Sequence, residues 1–193
     1  MLKKIFQKPL NWIYNNFKED TSLMLIVTGS LGWILSSAAQ IGAILNNKKI
    51  SNEKKSFLLP QEFMDGLINV GTFLFTTIVF KKGIEKLIKT GKIVPQSVRT
   101  YLNNNANLYK DKVGKIDFNL DVILGNDKAN APYEAYKSYK NYVTTMGTVG
   151  ASILACNIIT PEIRNNTASK VQKNYIEMKN NNRLYPKNSD MRI

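Results

Sequence analysis

No histidine occurs among the 193 residues, and there is one cysteine, Cys156. The first absence removes the commonest general base, the Ser-His and Cys-His nucleophile pairs and the commonest zinc ligand together. The second excludes an internal disulfide framework and any multi-cysteine metal site. Cys156 lies in an apolar block, where a free thiol behaves as a small hydrophobe. Glycine-rich phosphate loops of the Walker or dinucleotide type are missing as well. The acidic pairs Asp117/Asp121 and Asp65/Glu85 have no surrounding groups suited to acid–base work. The expectation is a non-enzymatic protein with no cofactor and no metal.

Acidic residues are scarce too: 14 Asp and Glu stand against 27 Lys and Arg, for a net charge of +13. Apart from Asp65, every polar segment is net positive. Such a surface attracts anionic lipid headgroups, with nucleic acid a less favoured partner. The same lysines also suit a solvated face with no partner. The mean hydropathy of −0.23 is ordinary, because the apolar residues are gathered into three blocks.

The first block, residues 21–47, has no charge at all. A hydrocarbon core of ~30 Å needs ~20 helical residues, so this run is long enough to span a bilayer with some tilt. The second block, 63–80, holds an uncharged stretch from Gly66 to Phe80 that reaches only ~22 Å as a helix. It is the least secure span, with a re-entrant or interfacial course as the alternative, and Lys81 and Lys82 are expected to snorkel outward. The third, 142–160, lies in a charge-free run from Asn141 to Pro161. The fold class read from these blocks is all-α: an integral membrane protein of about three transmembrane helices with basic amphipathic flanks and a polar loop.

Small residues repeat at helical spacing inside two of the blocks. Gly29, Gly32, Ser36, Ala39 and Ala43 share one face of the first span, and Gly147, Ala151 and Ala155 share one face of the third. Such faces let helix backbones approach closely in lipid, so the first and third spans are expected to pack together. The second span carries a polar line, Asp65, Asn69, Thr72 and Thr76. Asp65 reads as a helix N-terminal cap or packing group, and the sharper reading of the line is an aqueous wall for ions or protons.

Between the spans, residues 1–20 form a basic flank broken by Pro9 and suited to the headgroup layer. Residues 48–62 read as a polar connection. Residues 81–141 form a basic polar region that begins with an amphipathic helix stopped by Gly91 and Pro95. That helix suits either anionic lipid or a soluble core. Within the region Asn103–Asn105 weaken a helix, and 116–122 fit a strand or a helix equally. Asn130 and Pro132 start a helix whose tyrosines, 133, 136, 139 and 142, suit an aromatic belt or, less well, nucleic acid. Thr160-Pro161 reads as the start of a further polar helix to about Lys179, followed by a tail. The small residues Ser37-Ala38-Ala39 also allow a weaker reading of the N-terminus as a signal peptide cut before Gln40.

Segments 1–20 and 81–141 together hold 16 Lys and Arg against 11 in 48–62 and 161–193, and this excess puts the N-terminus on the cytoplasmic side. The function expected is structural: assembly or anchoring in a lipid bilayer, as a homo-oligomer or with a membrane-protein partner. A holin-like or channel-like permeability protein is the alternative, and a soluble or virion-assembly component with buried apolar helices the second alternative.

Overall fold

The computed structural model describes residues 2–126 and 132–167. Helix α1 (Leu2–Phe17) runs unbroken through Pro9, which the sequence reading had expected to divide it. A short turn leads to α2 (Thr21–Asn46), where the Asp20 side chain accepts from the Leu23 N–H and so satisfies one of the helix's free donors. The second helix of the hairpin, α3 (Asn52–Lys89), starts eleven residues before the predicted span and takes up most of the expected 48–62 connection. Ser51 caps it, accepting from the Lys54 N–H, and Pro60 is accommodated inside it. The Lys55 Nζ reaches back to the Leu45 carbonyl at 2.7 Å and occupies one of the open acceptors at the end of α2.

At ~57 Å, α3 is far longer than a bilayer needs. Asp65 lies well inside the helix, whose N-cap is Ser51, so that residue is no N-terminal cap. The helix ends as Gly91 and Pro95 predicted. The Gly91 N–H donates to Ile88 O at 2.9 Å and the Lys92 N–H to Leu87 O at 3.0 Å, with Gly91 at φ +79°. This paired closure needs a left-handed residue, and a Cβ there would press on Val113 and Phe118.

The basic region beyond α3 is folded around a core of its own. Helices α4 (Gln96–Asn104) and α5 (Ala106–Tyr109) are divided at Asn105, within the asparagine run that weakened the helix reading. Residues 116–122 become neither a full strand nor a full helix. Gly114, at φ +87°, donates to Thr90 O at 2.7 Å. That turn leaves Ile116 in solvent, and α6 (Leu120–Asn126) begins only afterwards. Ile88, Val98, Leu102, Leu120, Leu124 and Tyr136 meet in the core. The amphipathic end of α3 thus lies on protein, the soluble-core alternative, and the region is a small helical domain. Among the described residues there is no strand.

Helix α7 (Tyr133–Leu154) follows Pro132; the Asn130 part of its start signal lies outside the described residues. It passes into a π-helical turn, Ala155–Ile159, in which the Thr160 N–H donates to Ala155 O. Helix then continues to Thr167, so Thr160-Pro161 starts no separate helix. A proline inside a helix removes a donor and crowds the carbonyl four residues back, and the wider turn just before Pro161 relieves that crowding. The remainder of the predicted polar helix and the tail, 168–193, lie outside the described residues.

Among the described residues, three helices are long and apolar enough to cross a membrane: Thr21–Asn46, Lys54–Lys89 and Tyr133–Thr167. Thr21 meets Asn141 and Asp20 meets Lys81, so α2 and α7 run parallel with α3 antiparallel to both. No more than 28% of any span's apolar window is buried inside the protein. Leu35, Phe75, Ile153 and Ile158 are all well exposed. A soluble monomer would leave those side chains in water, whereas acyl chains solvate them without cost.

Candidate functional site

Polar side chains gather at two levels of the bundle. The first lies inside it, along the predicted polar line of α3. The Arg164 guanidinium donates to Asp65 Oδ2 at 2.6 Å. The Thr72 and Thr160 hydroxyls share a hydrogen bond at 2.6 Å, and Thr76 is buried. Asn69 Oδ1, between these pairs in the sequence, is buried without a hydrogen-bond partner. Asp65 and Thr72 of the line therefore meet the helix that continues α7 beyond the π turn, and these two groups help to hold the helices together, as polar groups in lipid-embedded interfaces commonly do.

The π turn sets this register. Thr144, Thr148, Ala151 and Ala155 are buried at steps of four, three and four, and the next buried residue is Thr160, five further on. A regular helix would have carried Thr160 off the seam. Exchanging both partners, Asp65→Arg with Arg164→Asp, is expected to restore most of the stability that either single exchange loses. A double-mutant cycle in detergent micelles should give a coupling of about 1 kcal/mol, since the pair is partly exposed.

The small-residue rows divide differently. Ala151 and Ala155 are buried, and a Cβ on Gly147 would overlap Ile84 of α3. On α2 only Gly29 reaches a neighbour: a Cβ there would lie 2.5 Å from the Phe73 ring, again on α3. Gly32, Ser36, Ala39 and Ala43 are exposed. The buried seam of α2 is Ser22, Ile26 and Ser30, extended by half-buried Trp33, Ser37, Ile41 and Ile44. It lies roughly a third of a turn from the small row. The first and third spans do pack together, as expected, though not through these rows. Each spends its closest glycine on α3, while α2 and α7 meet through contacts such as Trp33 with Cys156. Gly66 of α3, against Ser37, is a close approach that the sequence reading did not single out.

The second level is a charged layer where the spans meet the helical domain. Asp20 accepts from Ser22 Oγ at 2.6 Å and the Leu23 N–H at 2.9 Å, and pairs with Lys81 at 3.0 Å. Lys81 also binds Glu85, so it turns inward rather than snorkelling. Asp121 is the hub of the domain side. It takes both carboxylate contacts of Lys140 at 2.8 Å, the Tyr136 hydroxyl at 2.8 Å and Lys89 at 3.4 Å. Tyr136 is therefore a core residue with a bonded hydroxyl, outside both the belt and the nucleic-acid readings. Glu19 pairs with Lys137 at 3.3 Å, and Thr21 and Asn141 exchange two hydrogen bonds.

Burial pushes the Asp20 and Asp121 carboxyls up, yet both end below the ordinary carboxylate range. For Asp20 the hydrogen bonds from Ser22, Leu23 and Lys81 outweigh burial; for Asp121 those from Lys140 and Tyr136 do so, with the Lys140 and Lys89 charges adding to them. The cleft they border, about 310 Å³, is lined by Glu19, Asp20, Glu85, Asp121, Lys137 and Lys140 among others. Sequence reasoning missed this layer. Asp20 before an apolar run was a legible cap signal, but its pairing with a lysine 61 residues away was not.

Compared with known protein families, curated proteins and solved structures, the chain matches none. What stands is an all-α protein in which, among the described residues, three apolar helices of membrane-span length pack together, which suggests a multi-span membrane protein, and carry a small helical domain at one end.

Proposed function

We propose that the protein is a non-enzymatic assembly or anchoring component of a membrane. It associates through the outward face of α2 and displays its basic helical domain at one membrane surface. The observation that carries this reading is the division of labour in the bundle. Asp65 and Thr72 of α3 are bonded to the helix that continues α7, while Gly32, Ser36, Ala39 and Ala43 stand on the outside of α2. A Cβ at Gly32 would meet nothing within 4 Å, so another helix can approach the backbone there. The domain's basic surface includes Arg99 and Lys110, which border a cleft of about 480 Å³. With α1 and the domain at one end, the positive-inside rule places both on the cytoplasmic side.

The test separates association from folding. The double substitution Gly32→Leu with Ala39→Leu is expected to weaken self-association in vesicles about tenfold, ~1.4 kcal/mol. Energy transfer between labelled copies, read as lipid is added, measures this, and the unfolding midpoint should stay unchanged. Undiminished transfer rejects the α2 face as the contact. The permeability reading is weakened because two of the four residues of its proposed wall, Asp65 and Thr72, are engaged in side-chain bonds to Arg164 and Thr160. Dye release from vesicles holding the purified protein would restore it.

A further inference from the structure

We propose that α1 lies flat in the headgroup layer of the membrane that α2 enters, with its apolar face on the acyl boundary and its lysines toward anionic lipid. The helical register of Leu2–Phe17 puts Leu2, Ile5, Phe6, Leu10, Ile13 and Phe17 on one arc, roughly 140° wide at 100° per residue. Pro9 and Asn16 also fall within it, Trp12 lies at one border and Lys3 with Tyr14 at the other, and Lys4, Lys8, Asn11 and Asn15 fall on the opposite side. Aromatic rings with one polar edge favour the level where water gives way to hydrocarbon, so that placement suits a helix half sunk in an interface.

Three further observations select lipid as the occupant of this face. Trp12 is 56% and Tyr14 67% exposed, so the protein itself leaves the borders of the arc uncovered. Only three residues separate α1 from the span, and their position is fixed: Glu19 is bound to Lys137 and Asp20 to Lys81, in the layer where the apolar helices end. Phe17, the last apolar residue of the arc, is buried, which anchors the C-terminal end of α1 on the bundle. Lys3, Lys4 and Lys8 supply the charge complement to an anionic leaflet.

Tryptophan emission tests the placement on the full chain, because Trp12 and Trp33 are the only two tryptophans. The Trp33→Phe variant, reconstituted in phosphatidylcholine vesicles with and without phosphatidylglycerol, reports Trp12 alone. If that variant does not fold, the wild-type spectrum less that of Trp12→Phe gives the same signal. Expected are a blue-shifted emission, stronger quenching by lipid brominated near the headgroup than by lipid brominated near the chain end, and a larger effect with phosphatidylglycerol. Introducing Leu10→Glu and Ile13→Glu should abolish the bromolipid quenching. Quenching by aqueous acrylamide in place of bromolipid overturns the proposal in favour of a water-facing helix. Protection from both quenchers overturns it in favour of a second protein copy. The inference rests on α2 spanning a bilayer, which vesicle flotation of the same samples reads independently.

Discussion

Replacing Asp121 by alanine is expected to lower the unfolding free energy by about 2–3 kcal/mol, the largest loss for any single polar side chain of the helical domain. The residue joins α6 to α7 through Lys140 and Tyr136, and to α3 through Lys89. Its removal leaves the hydroxyl of a tyrosine that is 1% exposed without an acceptor. It also leaves Lys140, with a side chain 26% exposed, short of its counter-charge. Partial solvent access keeps the loss below that of a fully buried pair. Tyr136→Phe removes one bond and no charge, so it should cost only about 1 kcal/mol. Urea unfolding of the full chain in micelles, followed by proteolysis within residues 82–126, reads both.

The same carboxylate sets an acid limb. Its folded pKa lies below the unfolded value of 3.8, so the stability it contributes is complete above that value and is lost as pH falls through the folded pKa. Asp20 acts in the same direction at the joint between α1 and α2. The wild type should therefore weaken below about pH 4, while Asp121→Ala should show a shallower limb and converge on it at low pH. A constant gap between the two curves down to the lowest pH would show that the charge contributes nothing.

Ala151→Leu is the second large effect. The alanine is 1% exposed and lies between Thr148 and Ala155 on a buried seam. A larger side chain must displace α2 or α3, at about 2–3 kcal/mol. Ala39→Leu, the same chemical change on the exposed side of α2, should stay within about 0.5 kcal/mol for the isolated protein. Two alanines that look alike in the sequence are thereby distinguished by unfolding in mixed micelles. Equal losses at the two positions would mean that the α2 row is buried after all.

Much of the plan was legible without a structure. Charge-free length marked the three spans, and Gly91 with Pro95 marked the end of α3. Proline was the least reliable guide. Pro9 and Pro60 sit inside continuous helices, and Pro161 follows a π turn, so a missing donor ended none of the three helices. The polar line of α3 was legible as a pattern, but the partners of Thr72 and Asp65 lie 88 and 99 residues away, which periodicity along one segment does not reveal.

By itself the sequence determined that the chain is helical, basic and built on three apolar runs, because apolar length and charge are properties of local segments. Which face of each run turns inward was decided only by tertiary structure. The π turn shifts α7 by one residue to bring Thr160 to Thr72, and close packing on α3 takes Gly29 and Gly147 while leaving the rest of the α2 row outside. Contact between distant segments depends on register and on what the neighbouring helix presents, and composition carries neither.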